Sequence, residues 1–248
     1  MPKGKRGDKP QEKLKQRKAR EQRLQRITTY TGIGALVVVL ALLGAYFLQT
    51  RTPSVEGTAA EFKLDAQPVL GEPDAPVKVV EFADFKCPAC KQFHELVFYK
   101  LKEDYIDTGK VQLVFMDFPI PLGDDSYTAA VAGECLYRQS NAAFWAYYNA
   151  MFKYQGDERE TWVTLSRLLQ IVRDYVEPLV EVDEAAFEQC VQENRYRSVV
   201  DEDKRQGLAA GVRGTPTIFI NGKKVQRWYP YSGLKALIDK ELERAAAE

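Results

Sequence analysis

The hydrophobic and polar positions divide the chain into unlike stretches. Residues 27–50 carry no charge, and the core of that stretch, 33–48, reads IGALVVVLALLGAYFL. At about 1.5 Å of rise per residue, a helix of this length crosses a hydrocarbon layer of about 30 Å, so the pattern predicts a single transmembrane anchor over 27–50. The alternatives are a buried core helix and a cleaved signal peptide. Against cleavage stand the length of the apolar core and the lack of a small-x-small site just after it. Residues 51–60 (RTPSVEGTAA) have the composition of a linker. A globular domain is predicted over 61–248.

Within that domain the period of the pattern changes several times. A first strand is expected near 61–68 and a second over 77–85, the latter almost continuously apolar, as in a central strand buried on both faces. Phe93, Leu96, Val97 and Leu101 then recur at helical spacing after Pro88, and proline suits a first helical turn. Gly109 ends this helix, and 111–118 reads as the next strand. The order predicts a βαβ unit with a right-handed crossover. A helical insertion is predicted over about 124–210, with Trp162, Leu165, Leu168, Leu169 and Val172 on one face. Two short strands, 217–221 and 224–228, flank the hairpin signal Asn221-Gly222. Leu234, Leu237, Ile238 and Leu242 mark a last helix. The fold class is α/β.

Charge adds an orientation. Lys and Arg balance Asp and Glu over the whole chain at 35 each, but residues 1–26 hold eleven cations and three acids. A basic arm before an apolar segment predicts a cytoplasmic N-terminus and an extracytoplasmic bulk, hence a single-pass protein of the cell membrane. A nucleic-acid role for the arm lacks support, since it has no binding motif and no aromatic residue before Tyr30.

The candidate chemistry is Cys87-Pro88-Ala89-Cys90, at a strand-to-helix junction. A thiolate is the attacking species in disulfide exchange, and the unpaired N–H groups and positive dipole end of a helix N-terminus stabilise one. Cys87 is therefore expected to be the exposed nucleophile. Cys90, one turn on, is expected to be the more buried thiol that releases a mixed disulfide. Zinc is a poor fit, because a tetrahedral site wants four ligands and the sequence has no second C-x-x-C and one histidine, His94. A structural bridge is also a poor fit, because so short a loop constrains little chain entropy. Exchange between sulfurs calls for no metal and no cofactor.

Other residues leave alternatives open. Glu81, in the apolar strand, is either a buried acid with a raised pKa that trades a proton with Cys90 or a solvated acid on an edge strand. Cys135 and Cys190 are a structural bridge, two free thiols or a second relay. His94 reads as a packing residue. The aromatic run Phe144, Trp145, Tyr147, Tyr148 and Phe152 reads as helix core, part of which could line a substrate groove. Thr215-Pro216 opens a strand, where proline is tolerated.

Taken together, a buried-strand Glu81 six positions before the first cysteine, C-P-x-C, a helical insertion and Gly214-Thr215-Pro216-Thr217 before a hairpin resemble the DsbA-type thiol–disulfide oxidoreductases. The resemblance covers about 61–248. It implies a thioredoxin-like fold with an inserted helical domain, Cys87 as nucleophile, Cys90 as resolving thiol, Glu81 as buried acid and Pro216 as a cis-proline. Thr215, Pro88 and Ala89 become the substrate-binding set. Some bacterial members carry a second, structural cysteine pair, which Cys135 and Cys190 match. The family donates disulfides to reduced exported proteins and is reoxidised by a quinone-linked membrane partner of the DsbB or vitamin K epoxide reductase type. The best-known strong oxidants of the family have histidine where this chain has Ala89, which leaves the strength of oxidation, and with it the direction of exchange, open. The alternatives are a reductase or isomerase on the same fold and a tethered peptide-binding module without catalysis.

Overall fold

The computed structural model describes Lys18, Arg23 and residues 30–44 and 54–247. The chain divides into two units, 1–52 and 53–248. In the first, residues 30–44 are helical with exposed side chains. The basic arm falls almost wholly outside the described residues, as do both ends of the expected anchor. Among the described residues, no helix is long and apolar enough to cross a membrane.

In the second unit six strands form one sheet: β1 (Val55–Glu56), β2 (Val69–Leu70), β3 (Val77–Ala83), β4 (Val111–Asp117), β5 (Thr217–Ile220) and β6 (Lys223–Val225). Their order is β1-β6-β5-β3-β4-β2. β3 is central and apolar, runs parallel to β4 from Val77↔Val111 to Ala83↔Asp117, and pairs antiparallel with β5. Between β3 and β4 runs α1 (Pro88–Phe93), which continues through a π-helical stretch at His94–Phe98, then Tyr99–Leu101, then a second π-helical stretch at Lys102–Ile106. The insertion comprises α2 (Asp125–Tyr137), α3 (Asn141–Lys153), α4 (Leu165–Ile171, prolonged through Val172–Val176), α5 (Glu184–Gln192) and α6 (Arg197–Ala209). α7 (Tyr231–Ala245) closes the domain.

Because successive strand residues face opposite sides, β3 feeds two cores. Val77, Val79 and Ala83 join the large core with α1 and the insertion. Val80 and Phe82 join a smaller one with Val114, Met116, Phe118, Val212 and Phe219. Glu81 falls on the large-core side.

Several expectations need correction. Residues 61–68 form no strand. Phe62 instead lies edge-on to Phe82 at 5.3 Å and to Phe219 at 5.0 Å. The segment covers the second face of the sheet, and the edge pairing passes to Val69–Leu70. The expected linker 51–60 is partly structured. Val55 and Glu56 pair with Val225 and Lys224, and the Ala60 N–H donates to the Gly222 carbonyl at 2.8 Å. Leu96 is 42% exposed, since the π-helical stretch shifts the phase of α1 and turns His94, Val97 and Phe98 inward. Trp162 precedes α4, which Thr164 caps through its side chain. The second hairpin strand ends at Val225, three residues short of the expected 228. Its turn forms as the sequence predicts, with Asn221 at φ 47° and Gly222 at φ 75°.

Candidate active site

The chain turns from β3 into α1 within four residues, and the Asp84 carboxylate organises the turn. It accepts the N–H of Lys86 and of Ile120, each at 2.8 Å, while the Cys87 N–H donates to the Asp84 carbonyl at 3.0 Å. Cys87 is the N-cap of α1 with extended backbone, and Pro88 occupies the first turn, where its missing N–H costs nothing.

The two thiols are pushed apart. The Cys87 pKa falls from 9.0 to about 6. The main cause is the hydrogen bond from the Cys90 thiol, opposed by burial and aided by Thr215 and the backbone N–H groups of Cys90 and Ala89. Burial raises the Cys90 thiol well above 9.0, and its hydrogen bond to Cys87 and the nearby charges of Cys87 and Glu81 push the same way.

The expected exposure of Cys87 does not hold, for it is 4% exposed and Cys90 is fully buried. Strand register explains this. Thr217 lies opposite Phe82 in the sheet, so the residues before it reach past the end of β3. The Thr215–Pro216 bond is cis, and the Cys87 thiol donates to the Thr215 carbonyl at 3.3 Å. From the other side the Gln155 amide donates to the carbonyls of Phe85 at 2.8 Å and Cys87 at 3.1 Å. Pro88 is exposed and Ala89 half-buried, so the motif meets solvent through its middle.

Glu81 is buried, and its environment raises its pKa to about 8. Desolvation is the cause, and the hydrogen bond donated by the Tyr148 hydroxyl at 2.9 Å opposes it. The other carboxylate oxygen has no partner. The edge-strand alternative is excluded, since β3 is paired on both sides. This carboxylic acid is neutral near pH 7, and its charge when ionised acts on Cys90 and raises that thiol's pKa.

Three residues of the site were not singled out from sequence for a role in it. Tyr148 was hidden in an aromatic run that is otherwise core. Gln155 sits in a loop with no motif. Lys86 did carry a signal, a cation between Phe85 and Cys87. It is 1% exposed, and its Nζ reaches Asp125 Oδ1 at 2.6 Å and the carbonyls of Leu122 at 2.7 Å and Glu160 at 2.9 Å. The Asp125 Oδ2 accepts from Trp162 N–H and Val163 N–H. The insertion is thus tied to the residue next to the nucleophile. His94 packs as expected, stacked on Phe98 and bonded through Nε2 to Asn149 at 3.0 Å.

Cys135 of α2 and Cys190 of α5 form a disulfide, with Cα atoms 6.0 Å apart. Among the described residues no group of three or more His, Cys, Asp or Glu side chains could hold a metal ion.

A βαβ–ββα sheet with a depressed thiol at a helix tip, a resolving thiol one turn on and a cis-proline loop against the first sulfur defines a thioredoxin-fold protein-disulfide oxidoreductase. Comparison with known proteins agrees. A thioredoxin family model matches residues 63–240. A probable disulfide bond formation protein D of Bacillus anthracis is 37% identical over 213 residues, covering 86% of this chain and 95% of the relative. Disulfide bond formation protein D of Bacillus subtilis is 31% identical over 76% of this chain and 82% of the relative. Among solved structures, oxidised BdbD of B. subtilis aligns with a TM-score of 0.70 at 31% identity, covering 76% of this chain and 99% of that one. Wolbachia pipientis alpha-DsbA1 aligns with a TM-score of 0.62 at 26% identity, covering 75% and 96%. The chain belongs to the thioredoxin family, as a DsbA-type protein-disulfide oxidoreductase.

Proposed function

We propose that this oxidoreductase works as a disulfide donor to reduced exported proteins. The observation that carries the reading is the depressed pKa of Cys87, about 6, beside a Cys90 pushed the other way. A client thiolate attacks the Cys87 sulfur of the Cys87–Cys90 disulfide. The bond between Cys87 and Cys90 breaks, and Cys90 leaves and takes a proton from Glu81. A second client thiolate then attacks the client sulfur of the mixed disulfide, and Cys87 leaves as a stable anion. The client loses two electrons and the pair gains them. At pH 7 a thiol of pKa about 6 is roughly nine-tenths ionised. Relative to a free thiol this stabilises the reduced form by about 1.4 kcal/mol and raises the potential by about 30 mV.

The direction is tested by a glutathione-buffered titration of the full chain, with Cys135 and Cys190 followed separately. A donor lies well above the thioredoxin value of about −270 mV. A value at or below it assigns a reductase or isomerase.

The proposed setting is the outer side of a cell membrane, with residues 27–50 as anchor and the N-terminus cytoplasmic. The charge-free stretch after a basic arm supports this, and so does the Cys135–Cys190 bridge, which suits an oxidising compartment. The reoxidising partner is a quinone-linked membrane protein of the DsbB or vitamin K epoxide reductase type. Membrane-impermeant alkylation of Cys87 in intact cells tests the topology: protection in reduced, intact cells overturns it.

A further inference from the structure

The cis-proline loop is also one wall of a surface groove of about 590 Å³ that continues away from Cys87 along the β5–β6 hairpin. Its lining includes Thr215, Pro216, Arg213, Lys224, Arg227 and Trp228 and, among the described residues, no Asp or Glu. Among the described residues, neither Arg213 nor Arg227 pairs with a carboxylate, while Lys224 has Glu56 as its register partner on β1. Arg213 is exposed and held in place by donating to the carbonyls of Leu208 at 3.3 Å and Val212 at 3.0 Å, which leaves its charge unneutralised. Lys224 reaches the Gly211 carbonyl at 3.5 Å. Arg227 is exposed. Trp228 is anchored edge-on to Phe93 of α1 at 5.7 Å, so the groove is fixed to the helix that carries both thiols.

The surroundings make this concentration of charge stand out. Residues 53–248 hold 23 Lys and Arg against 32 Asp and Glu, so the domain as a whole is acidic. Chance scatter over such a surface does not favour two arginines without a carboxylate partner beside the one sulfur that meets clients. We infer that the groove is a charge-selective subsite for polypeptide, and that it takes an acidic segment adjoining the client cysteine attacked at Cys87. The Thr215 backbone, in contact with the Cys87 sulfur, places the client chain at the mouth of the groove. Carboxylates a few residues from the cysteine then meet Arg213, Lys224 and Arg227, with Trp228 as an apolar floor. Such complementarity acts chiefly on association rate and on choice of partner.

This inference rests on the disulfide-donor reading, and the experiment separates the two. The oxidised full chain is mixed with reduced dithiol peptides of one sequence, flanked by Asp/Glu, by Ser or by Lys/Arg, and the second-order rate constants are measured at low and high salt. The expected result is an acidic-over-basic preference of roughly ten-fold at low salt that collapses at high salt. Arg213→Gln with Arg227→Gln removes the preference, and Arg213→Glu with Arg227→Glu reverses it. Lys110→Glu, an exposed charge outside the groove, leaves the ratio unchanged. Equal rates for the three peptides overturn the subsite, as does a preference that survives the double substitution. If the double variant instead loses binding to anionic phospholipid vesicles while its peptide ratio is unchanged, the groove is a membrane contact and the inference fails. Oxidation of none of the three peptides counts against the donor reading.

Discussion

The molecule holds two cysteine pairs, all four sulfurs buried, and gives them opposite tasks. Cys87 and Cys90 lie one turn apart at the tip of one helix. There, backbone N–H groups and a cis-proline loop converge on the first sulfur, and a neutral acid lies behind the second. Cys135 and Cys190 lie 55 residues apart on two helices, and their sulfurs form the bridge that joins α2 to α5. Burial alone does not decide whether a disulfide is inert. The local field at each sulfur decides it, because exchange needs one sulfur that ionises easily and another that keeps its proton. In the chain-entropy model, opening the short loop of the first pair costs little folding stability, whereas opening the long loop of the second costs more, because it returns more entropy to the unfolded chain.

The largest test of this contrast removes each pair in turn. Cys87→Ser abolishes disulfide transfer to peptide, and Cys90→Ala accumulates a mixed disulfide on Cys87, seen as a reducible adduct on a gel. Cys135→Ala with Cys190→Ala leaves transfer in place and lowers stability by about 4 kcal/mol, the chain-entropy value for a 55-residue loop. Denaturant unfolding of the oxidised protein measures this. If the second pair is also a relay, its loss changes the transfer rate, and the division of labour fails.

A smaller effect is expected at Glu81. Glu81→Gln cannot exchange a proton with Cys90, and transfer slows by roughly 100-fold, the lower end for a positioned acid–base group. Stability carries an independent sign. The folded Glu81 pKa, about 8, lies above its ordinary 4.5. Its favourable contribution is full below pH 4.5 and is lost as pH rises through about 8. The oxidised protein, whose cysteines do not titrate, therefore weakens between pH 5 and 9, and Glu81→Gln flattens that decline. Equal slopes for both proteins place the ionising group elsewhere.

These residues also mark how much the sequence disclosed. Cys87, Cys90, Glu81 and Pro216 each stand out against a local pattern, although the cis bond at Pro216 was implied by the family resemblance and not by the pattern. Two are cysteines at a change of period, one is a charge in an apolar strand, and one is a proline opening a strand. Tyr148 and Gln155 break no pattern. Tyr148 is one aromatic among five in α3, and only the pairing of strand and helix brings its hydroxyl to Glu81. The misread strand at 61–68 has the same origin. Phe62 and Leu64 alternate as strand residues do, yet their side chains pack against a sheet face, a tertiary choice that alternation does not encode. The shielding of Cys87 was illegible for the related reason that its cover comes from residues 128 positions away.

The finest test concerns that cover. The Thr215 hydroxyl is buried and has no hydrogen-bond partner while Cys87 is a thiol. Beside a thiolate it gains an acceptor, and Thr215 is among the groups that lower the Cys87 pKa. Thr215→Val keeps the shape and removes the donor, so the Cys87 pKa rises above about 6. The rise is smaller than in Cys90→Ala, which loses the main stabilising bond. Rates of alkylation against pH, on reduced protein, give both values. A folded Cys87 pKa below its free value stabilises the reduced state fully above pH 9.0, and this is lost as pH falls through about 6. Thr215→Val narrows that window from below and lowers the potential of the pair. If the alkylation midpoint stays put in Thr215→Val and moves in Cys90→Ala, the loop acts on clients through its backbone alone, and the thiolate is stabilised from within α1.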